Sequence, residues 1–230
     1  MHVTLVGGGR DSAWAPTLYA PFVAAGSVVA VRRGRSVPRI AIALLDEGDG
    51  VGPEAERFVS ELRHGGELDP RIIAIPLDGR LPITDLTGCD AMFVGGGLTP
   101  GYAAAIVPVR KALRAWLRDS HAPYAGFSAG AAIAATWAVV GGWRNGGVPV
   151  CPEEAGEDLD EVTVVPGIGL VPYSVEAHAD AWGTTPRLQA ALQGLGPGAV
   201  GYAIDENTAL VIDDDVPRVV GAGRATRLQA

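Results

Sequence analysis

The chain has 230 residues, enough for one sizeable core, and 48% apolar with 19% charged residues is typical of a globular protein. Its net charge is −8 and Lys111 is its only lysine, which argues against the broad basic surface that a nucleic-acid partner requires. We interpret the arginines Arg32, Arg33 and Arg35 as a solvated turn. Every apolar run is interrupted before the roughly 18 residues of a membrane span, and no signal-peptide pattern opens the chain. We therefore expect a cytoplasmic protein without a membrane partner.

The first half of the chain alternates short apolar runs with amphipathic segments. Four runs have the composition of buried strands: 3–6, 40–45, 71–76 and 91–94. The first and the last of these runs are each followed by three glycines. Helical spacing of apolar residues predicts helices at 53–63 and 103–117. A strand at 124–127 leads into an Ala-rich helix at 129–139.

The second half begins with a Gly-, Pro- and acid-rich stretch, 143–160, which we interpret as a surface excursion. The elements predicted after it are strands at 162–165 and 200–204, a helix at 185–195 and a hairpin of 209–212 with 218–220. Strands separated by helices predict a mostly parallel sheet with helices on both faces, a three-layer, doubly wound α/β fold. No repeat or linker divides the chain, so we expect a single α/β domain over 1–230.

The segment Gly126-Phe127-Ser128-Ala129-Gly130 fits a sharp turn from strand to helix with a serine at its tip. Glycines suit this turn because the backbone is too tight for Cβ atoms. The peptide N–H groups at the start of the following helix can stabilise negative charge. Ser128 is therefore the predicted nucleophile. A helix start that merely packs closely would carry the same small residues.

A serine nucleophile needs a base, and His178 is the best placed of the four histidines, because it follows a strand-like segment downstream of Ser128. Glu206 is the preferred acid to orient the imidazole, because it ends a predicted strand, where a parallel sheet presents functional groups. The alternatives that stay open for the acid are Asp180, Glu176 and the acidic residues of 153–161.

Backbone N–H groups complete the predicted site. Gly97, in the glycine run after the strand at 91–94, can supply an oxyanion donor alongside the N–H of Ala129. The earlier run, Gly7-Gly8-Gly9, lacks the spacing of a dinucleotide-binding turn because Ser12 stands where its last glycine belongs. Two cysteines far apart in the sequence do not have the spacing of a zinc site. We expect neither a metal nor another cofactor.

Four segments in order resemble the peptidase E and cyanophycinase group of serine peptidases. They are Ser128-Ala129-Gly130-Ala131, Phe93-Val94-Gly95-Gly96-Gly97, Gly167-Ile168-Gly169-Leu170 leading to His178, and Ile204-Asp205-Glu206-Asn207-Thr208-Ala209. The resemblance implies a fold like that of class I glutamine amidotransferases. It also implies metal-free cleavage of short peptides or isopeptides, often next to an aspartyl residue. Ser128 would attack the carbonyl and His178 would accept its proton.

The chain departs from the group at positions that would contact substrate. Leu98 stands where the group has Asn or Gln, and Glu176 and Ala177 replace an Asp-Gln pair. Of two arginines expected after the histidine, only Arg187 matches. These departures predict a different specificity. Arg187 is the candidate to bind a substrate carboxylate, which would suit a dipeptidase or a carboxypeptidase, and its alternative is a surface arginine of a helix.

The sequence thus predicts a serine peptidase that hydrolyses short peptides as an exopeptidase. An esterase of the α/β-hydrolase type and a non-catalytic amidotransferase-like binding domain stay open as alternatives. The expected partner is a small peptide substrate. A homodimer through the helix at 103–117 also stays open.

Overall fold

The computed structural model describes residues 1–230, which form fourteen β-strands, six α-helices and four short 3-10 helices. The strands are β1 (Val3–Val6), β2 (Arg39–Asp46), β3 (Asp69–Pro76), β4 (Ala91–Val94), β5 (Tyr124–Phe127), β6 (Trp137–Gly141), β7 (Arg144–Asn145), β8 (Val148–Pro149), β9 (Thr163–Pro166), β10 (Ser174–Glu176), β11 (Val200–Ile204), β12 (Thr208–Asp213), β13 (Val216–Gly221) and β14 (Ala225–Gln229). The α-helices are α1 (Ala15–Arg32), α2 (Gly52–Arg63), α3 (Thr99–Ile106), α4 (Arg110–Ser120), α5 (Ala129–Ile133) and α6 (Thr185–Leu195). The 3-10 helices are Ser12–Trp14, Ile83–Leu86, Val107–Val109 and Glu153–Ala155.

Seven strands form the central sheet in the order β13-β12-β1-β5-β4-β2-β3. The five strands from β1 to β3 are parallel, and β12 with β13 adds an antiparallel hairpin at one edge. The predicted mostly parallel sheet is therefore confirmed. Parallel strands end at the same edge, so the turns that begin at Gly7, Glu47, Gly95 and Ser128 all lie there.

Helices cover both faces of this sheet, as the sequence predicts. Successive residues of a strand point to opposite faces, and β1 shows the consequence. Leu5 joins the core packed by α3 and α4, while Val6 joins the core packed by α1 and α2. Helices α1 and α2 contribute Phe22 and Phe58 to the second core. The fold is thus a three-layer α/β arrangement.

Helix α1 is the largest element that the sequence analysis overlooked. It begins with a proline in its first turn, a position that tolerates the missing N–H. By length and apolar composition the segment Ser12–Arg32 would also pass as a membrane span. In the structure its side chains Leu18, Tyr19 and Phe22 are buried among residues of the sheet. The helix is therefore a core element of the fold.

Two predicted helices were wrong in their extent. The helix expected at 103–117 is divided into α3 and α4, because Pro108 lacks the N–H that an α-helix interior needs. The helix expected at 129–139 ends at Ile133, and the chain continues as β6, which pairs with β9. The alanines of this segment are fully buried, so their small size serves close packing rather than helix length.

The arginine run only partly fits the interpretation as a solvated turn: Arg32 ends α1, Arg33 lies in an exposed turn, and Arg33 and Arg35 also form ion pairs. Arg33 and Arg35 both bind the carboxylate of Asp90, which is fully buried. The N–H of Arg39 donates to the same carboxylate at 2.9 Å. A buried charge is stable only when it is paired and hydrogen-bonded, so this cluster anchors the end of α1 to the start of β2 and β4.

A small sheet of β10, β11 and β14 lies beside the central one and positions the remaining site residues. Strands β10 and β11 are parallel neighbours, with Glu176 opposite Ala203. His178 and Glu206 each follow the end of one of these strands by two residues. The parallel pairing therefore delivers both side chains to the same edge.

Candidate active site

Ser128 lies on the turn between β5 and α5. Its backbone has φ 52° and ψ −110°, a conformation that residues other than glycine rarely adopt. The flanking glycines are required by space, because a Cβ on Gly126 would lie 2.3 Å from the carbonyl of Gly130. A Cβ on Gly130 would lie 2.3 Å from the oxygen of Val94. The tight turn presents the Ser128 hydroxyl at the carboxyl edge of the sheet.

A continuous chain of contacts joins Ser128, His178 and Glu206. The imidazole Nε2 of His178 lies 2.9 Å from Ser128 Oγ, and its Nδ1 lies 2.6 Å from Oε1 of Glu206. With the carboxylate ionised, Nδ1–H donates to Glu206 and Nε2 accepts from the serine hydroxyl. This is the order that a nucleophile, a general base and an orienting acid require.

Among the acids that the sequence left open, Glu206 alone hydrogen-bonds to the imidazole. The carboxylate of Asp180 accepts the N–H of Glu206 at 2.9 Å and thereby fixes its backbone. The carboxylate of Glu176 is held by Arg187. Glu157, from the 153–161 segment, accepts hydrogen bonds from the N–H and the hydroxyl of Thr99.

The surroundings of His178 favour its neutral form. Burial lowers the pKa of the imidazole from its ordinary value of 6.5, and it outweighs the hydrogen bond and the charge of Glu206, which raise that pKa. A neutral imidazole has a free lone pair on Nε2 at pH 7. His178 can therefore accept the proton of the Ser128 hydroxyl.

Three backbone N–H groups that adjoin Ser128 in the chain or line the same cleft have no acceptor in the protein. Those of Ala129, Gly96 and Gly97 donate to no protein atom. Gly96 approaches Ser128 most closely of the glycine turn, since a Cβ on it would lie 3.1 Å from the serine Cβ. These groups can stabilise an oxyanion that forms beside Ser128. The N–H of Leu98 is engaged by Oε1 of Glu47 at 2.9 Å, so Leu98 offers only its side chain.

Arg187 is paired with a carboxylate of the protein itself. Its side chain is buried, and its guanidinium forms a bidentate pair with Glu176 at 3.0 and 2.6 Å. It also donates to the carbonyl oxygen of Ala155. Because the side chain is buried, the alternative of a surface arginine is wrong, whereas the binding of a substrate carboxylate stays a prediction. Arg187 ties α6 to β10 and to the 3-10 helix at Glu153–Ala155.

A cleft of about 760 Å³ opens above Ser128 and His178, with Leu98 and Tyr102 among its apolar lining. Its charged lining comprises six acids and two arginines: Glu47, Asp49, Glu54, Glu154, Glu157, Glu206, Arg10 and Arg57. Both arginines have acidic partners within 4.0 Å, whereas four of the acids pair with no cation: Glu47, Asp49, Glu154 and Glu157. The cleft is therefore strongly acidic.

Two neighbours of His178 were missed by the sequence analysis. Gly8 belongs to the glycine run that we compared only with a dinucleotide-binding turn, and its backbone lies against the imidazole. Trp182 stacks on the same ring. The spacing of four residues between His178 and Trp182 was not a signal, because residues four apart meet regularly only on a helix and this segment is not helical. No group of three or more His, Cys, Asp or Glu side chains is arranged to hold a metal ion.

The fold is similar to that of a solved structure from Listeria monocytogenes EGD-e, described as a candidate peptidase E protein. The two superpose with a TM-score of 0.55 over 96% of this chain and 98% of that one, at 14% sequence identity. At this identity the likeness concerns the fold, which is peptidase E-like. No protein-family model and no curated protein matches the sequence.

Proposed function

We propose that the protein is a serine peptidase that hydrolyses short peptides, with Ser128 as nucleophile, His178 as general base and Glu206 as orienting acid. The observation that carries the proposal is the pair of contacts, 2.6 Å and 2.9 Å, that links these three side chains on the floor of a cleft. The likeness of the fold to that of a candidate peptidase E supports the choice of peptides as substrates.

In the proposed reaction, a peptide carbonyl lies over the Ser128 turn. The hydroxyl oxygen attacks the carbonyl carbon while Nε2 of His178 takes the hydroxyl proton. The oxygen that becomes negative accepts hydrogen bonds from the N–H of Ala129 and from the glycine turn at Gly96 and Gly97. The imidazolium then donates its proton to the leaving amine, which leaves an acyl-enzyme on Ser128.

The second half of the reaction uses the same groups. Water enters, His178 takes one of its protons, and the resulting hydroxide attacks the ester carbonyl of the acyl-enzyme. Collapse of the intermediate returns the proton to Ser128 and releases the acid product. Glu206 stays ionised throughout, because its task is to hold the ring and to stabilise the imidazolium that forms twice in each cycle.

The test is hydrolysis of a panel of dipeptides and tripeptides, with products identified by mass spectrometry. We expect the wild type to cleave a subset, Ser128→Ala to cleave none, and Ser60→Ala, an exposed serine of α2, to match the wild type. The product masses also give the exopeptidase direction. Retention of full activity by Ser128→Ala would refute the proposal. Hydrolysis of p-nitrophenyl esters without any peptide cleavage would favour an esterase.

A further inference from the structure

The imidazole of His178 is covered on one face by an aromatic ring. Trp182 lies parallel to it, with 3.9 Å between the ring centroids and 6° between the planes. The indole is 38% exposed and also lines the cleft. Neither the hydrogen bond to Ser128 nor the one to Glu206 requires this contact, since both run from the edge of the ring.

The other face of the imidazole is covered by backbone. A Cβ on Gly8 would lie 2.1 Å from Cε1, 2.5 Å from Nδ1 and 2.6 Å from Nε2 of His178. Both nitrogens are nearly as close to this position as Cε1 is, which places Gly8 over a ring face, because an approach in the ring plane beyond Cε1 would leave both nitrogens much farther away. Because Trp182 fills one face, Gly8 occupies the opposite one. Gly8 has φ 103°, so glycine is required there for its backbone conformation as well as for space.

The backbone around His178 is held as firmly as the ring. His178 has φ 52°, which costs free energy for a residue with a side chain. Its N–H donates to the oxygen of Gly7 at 2.7 Å, and its own oxygen accepts the N–H of Trp182 at 2.9 Å. This last hydrogen bond closes one turn of the chain and brings the indole of Trp182 onto the imidazole of His178. The same short segment therefore supplies both the proposed base and the ring that stacks on it.

The charges that face His178 are all acidic, so they cannot explain its preference for the neutral form. Glu206, Glu176 and Asp180 each raise the pKa of the imidazole, and Ser128 is neutral. Burial acts in the opposite direction and prevails. Trp182 and Gly8 are the neighbours that exclude water from the two ring faces. The two groups that enclose the imidazole therefore also help to keep it neutral.

We propose that Trp182 is a positioning residue, which acts with Gly8 as a clamp that fixes the rotation of the His178 ring. The inference rests on the proposed peptidase function. With both faces covered, Nε2 stays aimed at Ser128 and Nδ1 at Glu206 throughout the cycle. A loss of alignment of about 1 Å can cost on the order of 10²-fold in rate.

The kinetic test compares Trp182→Ala and Trp182→Phe with Trp137→Ala, a matched control at a similarly exposed tryptophan of β6. The readout is the rate at which a fluorophosphonate labels Ser128, measured against pH. We expect Trp182→Ala to label at least about tenfold more slowly and its acid limb to move to higher pH, because a wetter imidazole binds its proton more readily. Trp182→Phe should recover most of the rate. On the best peptide of the panel, kcat should fall while KM changes little.

A second measurement needs neither substrate nor reaction. A protonated imidazole stacked on an indole quenches its fluorescence, so the difference between wild type and Trp182→Phe should titrate with pH, and His178→Asn should abolish that titration. Absence of this titration, or labelling of Trp182→Ala at the wild-type rate and pH, overturns the clamp. Absence of labelling in the wild type itself overturns the proposed function instead, so the two failures are distinguishable.

Discussion

At the scale of single residues, the carboxylate of Glu206 sets the tautomer and the orientation of the His178 imidazole. Its Oε1 lies 2.6 Å from Nδ1 of His178, which requires the proton to be on Nδ1 and leaves Nε2 free for Ser128. The acid alternatives left open by the sequence have other partners in the structure. Single substitutions therefore test the proposed chemistry most directly.

We expect Glu206→Gln to lower kcat/KM by on the order of 10²- to 10⁴-fold with little loss of stability. The amide keeps the size of the carboxylate, but it neither stabilises the imidazolium nor enforces the Nδ1–H tautomer. The matched control is Glu56→Gln, an exposed glutamate of α2, which should behave as the wild type. Steady-state kinetics and thermal melting of both variants check the expectation. Unchanged kcat/KM in Glu206→Gln would show that Glu206 does not orient His178.

Arg187 has a structural partner that the sequence did not reveal. It forms a buried pair with Glu176, and burial of both charges makes each dependent on the other. We expect Arg187→Met to destabilise the fold by about 3–5 kcal/mol, because the Glu176 carboxylate is then buried without a partner. The double variant Arg187→Met with Glu176→Gln should recover part of that loss.

Urea unfolding of the single and double variants measures this coupling. A loss in Arg187→Met of under about 1 kcal/mol would contradict this structural role, because it would show that solvent screens the pair as it screens exposed ion pairs. The sequence could not distinguish a structural arginine from a substrate-binding one. Glu176 belongs to β10, which directly precedes α6, but nothing in the local pattern reveals that the two side chains pair.

At the scale of elements, the α5 turn depends on glycine for space. A Cβ on Gly130 would lie 2.3 Å from the oxygen of Val94 in β4, which is backbone and has no room to move. We expect Gly130→Ala to destabilise the protein by about 1–3 kcal/mol or more through overpacking, and to lower activity further by displacing Ser128. Chemical denaturation and peptide hydrolysis measure the two effects.

The control for this substitution is Gly194→Ala, in α6. A Cβ there meets no atom within 4 Å, so alanine should stabilise the protein by about 0.5–1 kcal/mol through its better helix propensity. Equal effects of the two substitutions would mean that the turn tolerates side chains. In that event, lack of space would not be the reason why glycines flank Ser128.

The same scale shows which elements are predictable. Four strands begin and end at the predicted residues: β1, β4, β5 and β11. Their bounds were predictable because a short apolar run between glycines or polar residues is typical of a buried strand. Helix α1 has apolar residues on most of its surface and gave no helical period to detect. Small buried alanines suit a helix and a strand alike, which is why the start of β6 was missed.

At the scale of the whole molecule, the site is assembled from segments that lie far apart in sequence. Ser128, His178 and Glu206 each follow a strand, as the sequence predicts, but Ser128 follows β5 of the central sheet whereas His178 and Glu206 follow β10 and β11 of the small sheet. The acidity of the cleft could not be predicted. It arises where the end of β2, the start of α2 and the 3-10 helix at Glu153–Ala155 converge, and that convergence is a property of packing.

This acidity predicts a preference for cationic peptides. A unit charge about 4 Å from a carboxylate gains about 1–4 kcal/mol between aqueous and near-surface conditions. Among peptides that differ only by Lys, Gln or Glu, kcat/KM should be at least about tenfold higher for Lys than for Glu. The difference should shrink as salt screens the charges. Equal cleavage of the Glu peptide at low salt would contradict the electrostatic argument.

Labelling of the protein by a fluorophosphonate, mapped by peptide mass spectrometry, tests the central claim most directly. A fluorophosphonate reacts with a serine whose hydroxyl is activated by a neighbouring base, which is the condition that the contacts of Ser128 describe. The account predicts one adduct, on Ser128, that is absent from Ser128→Ala and much slower to form in His178→Asn. No adduct on the folded wild type, or an adduct at any other residue, would contradict it.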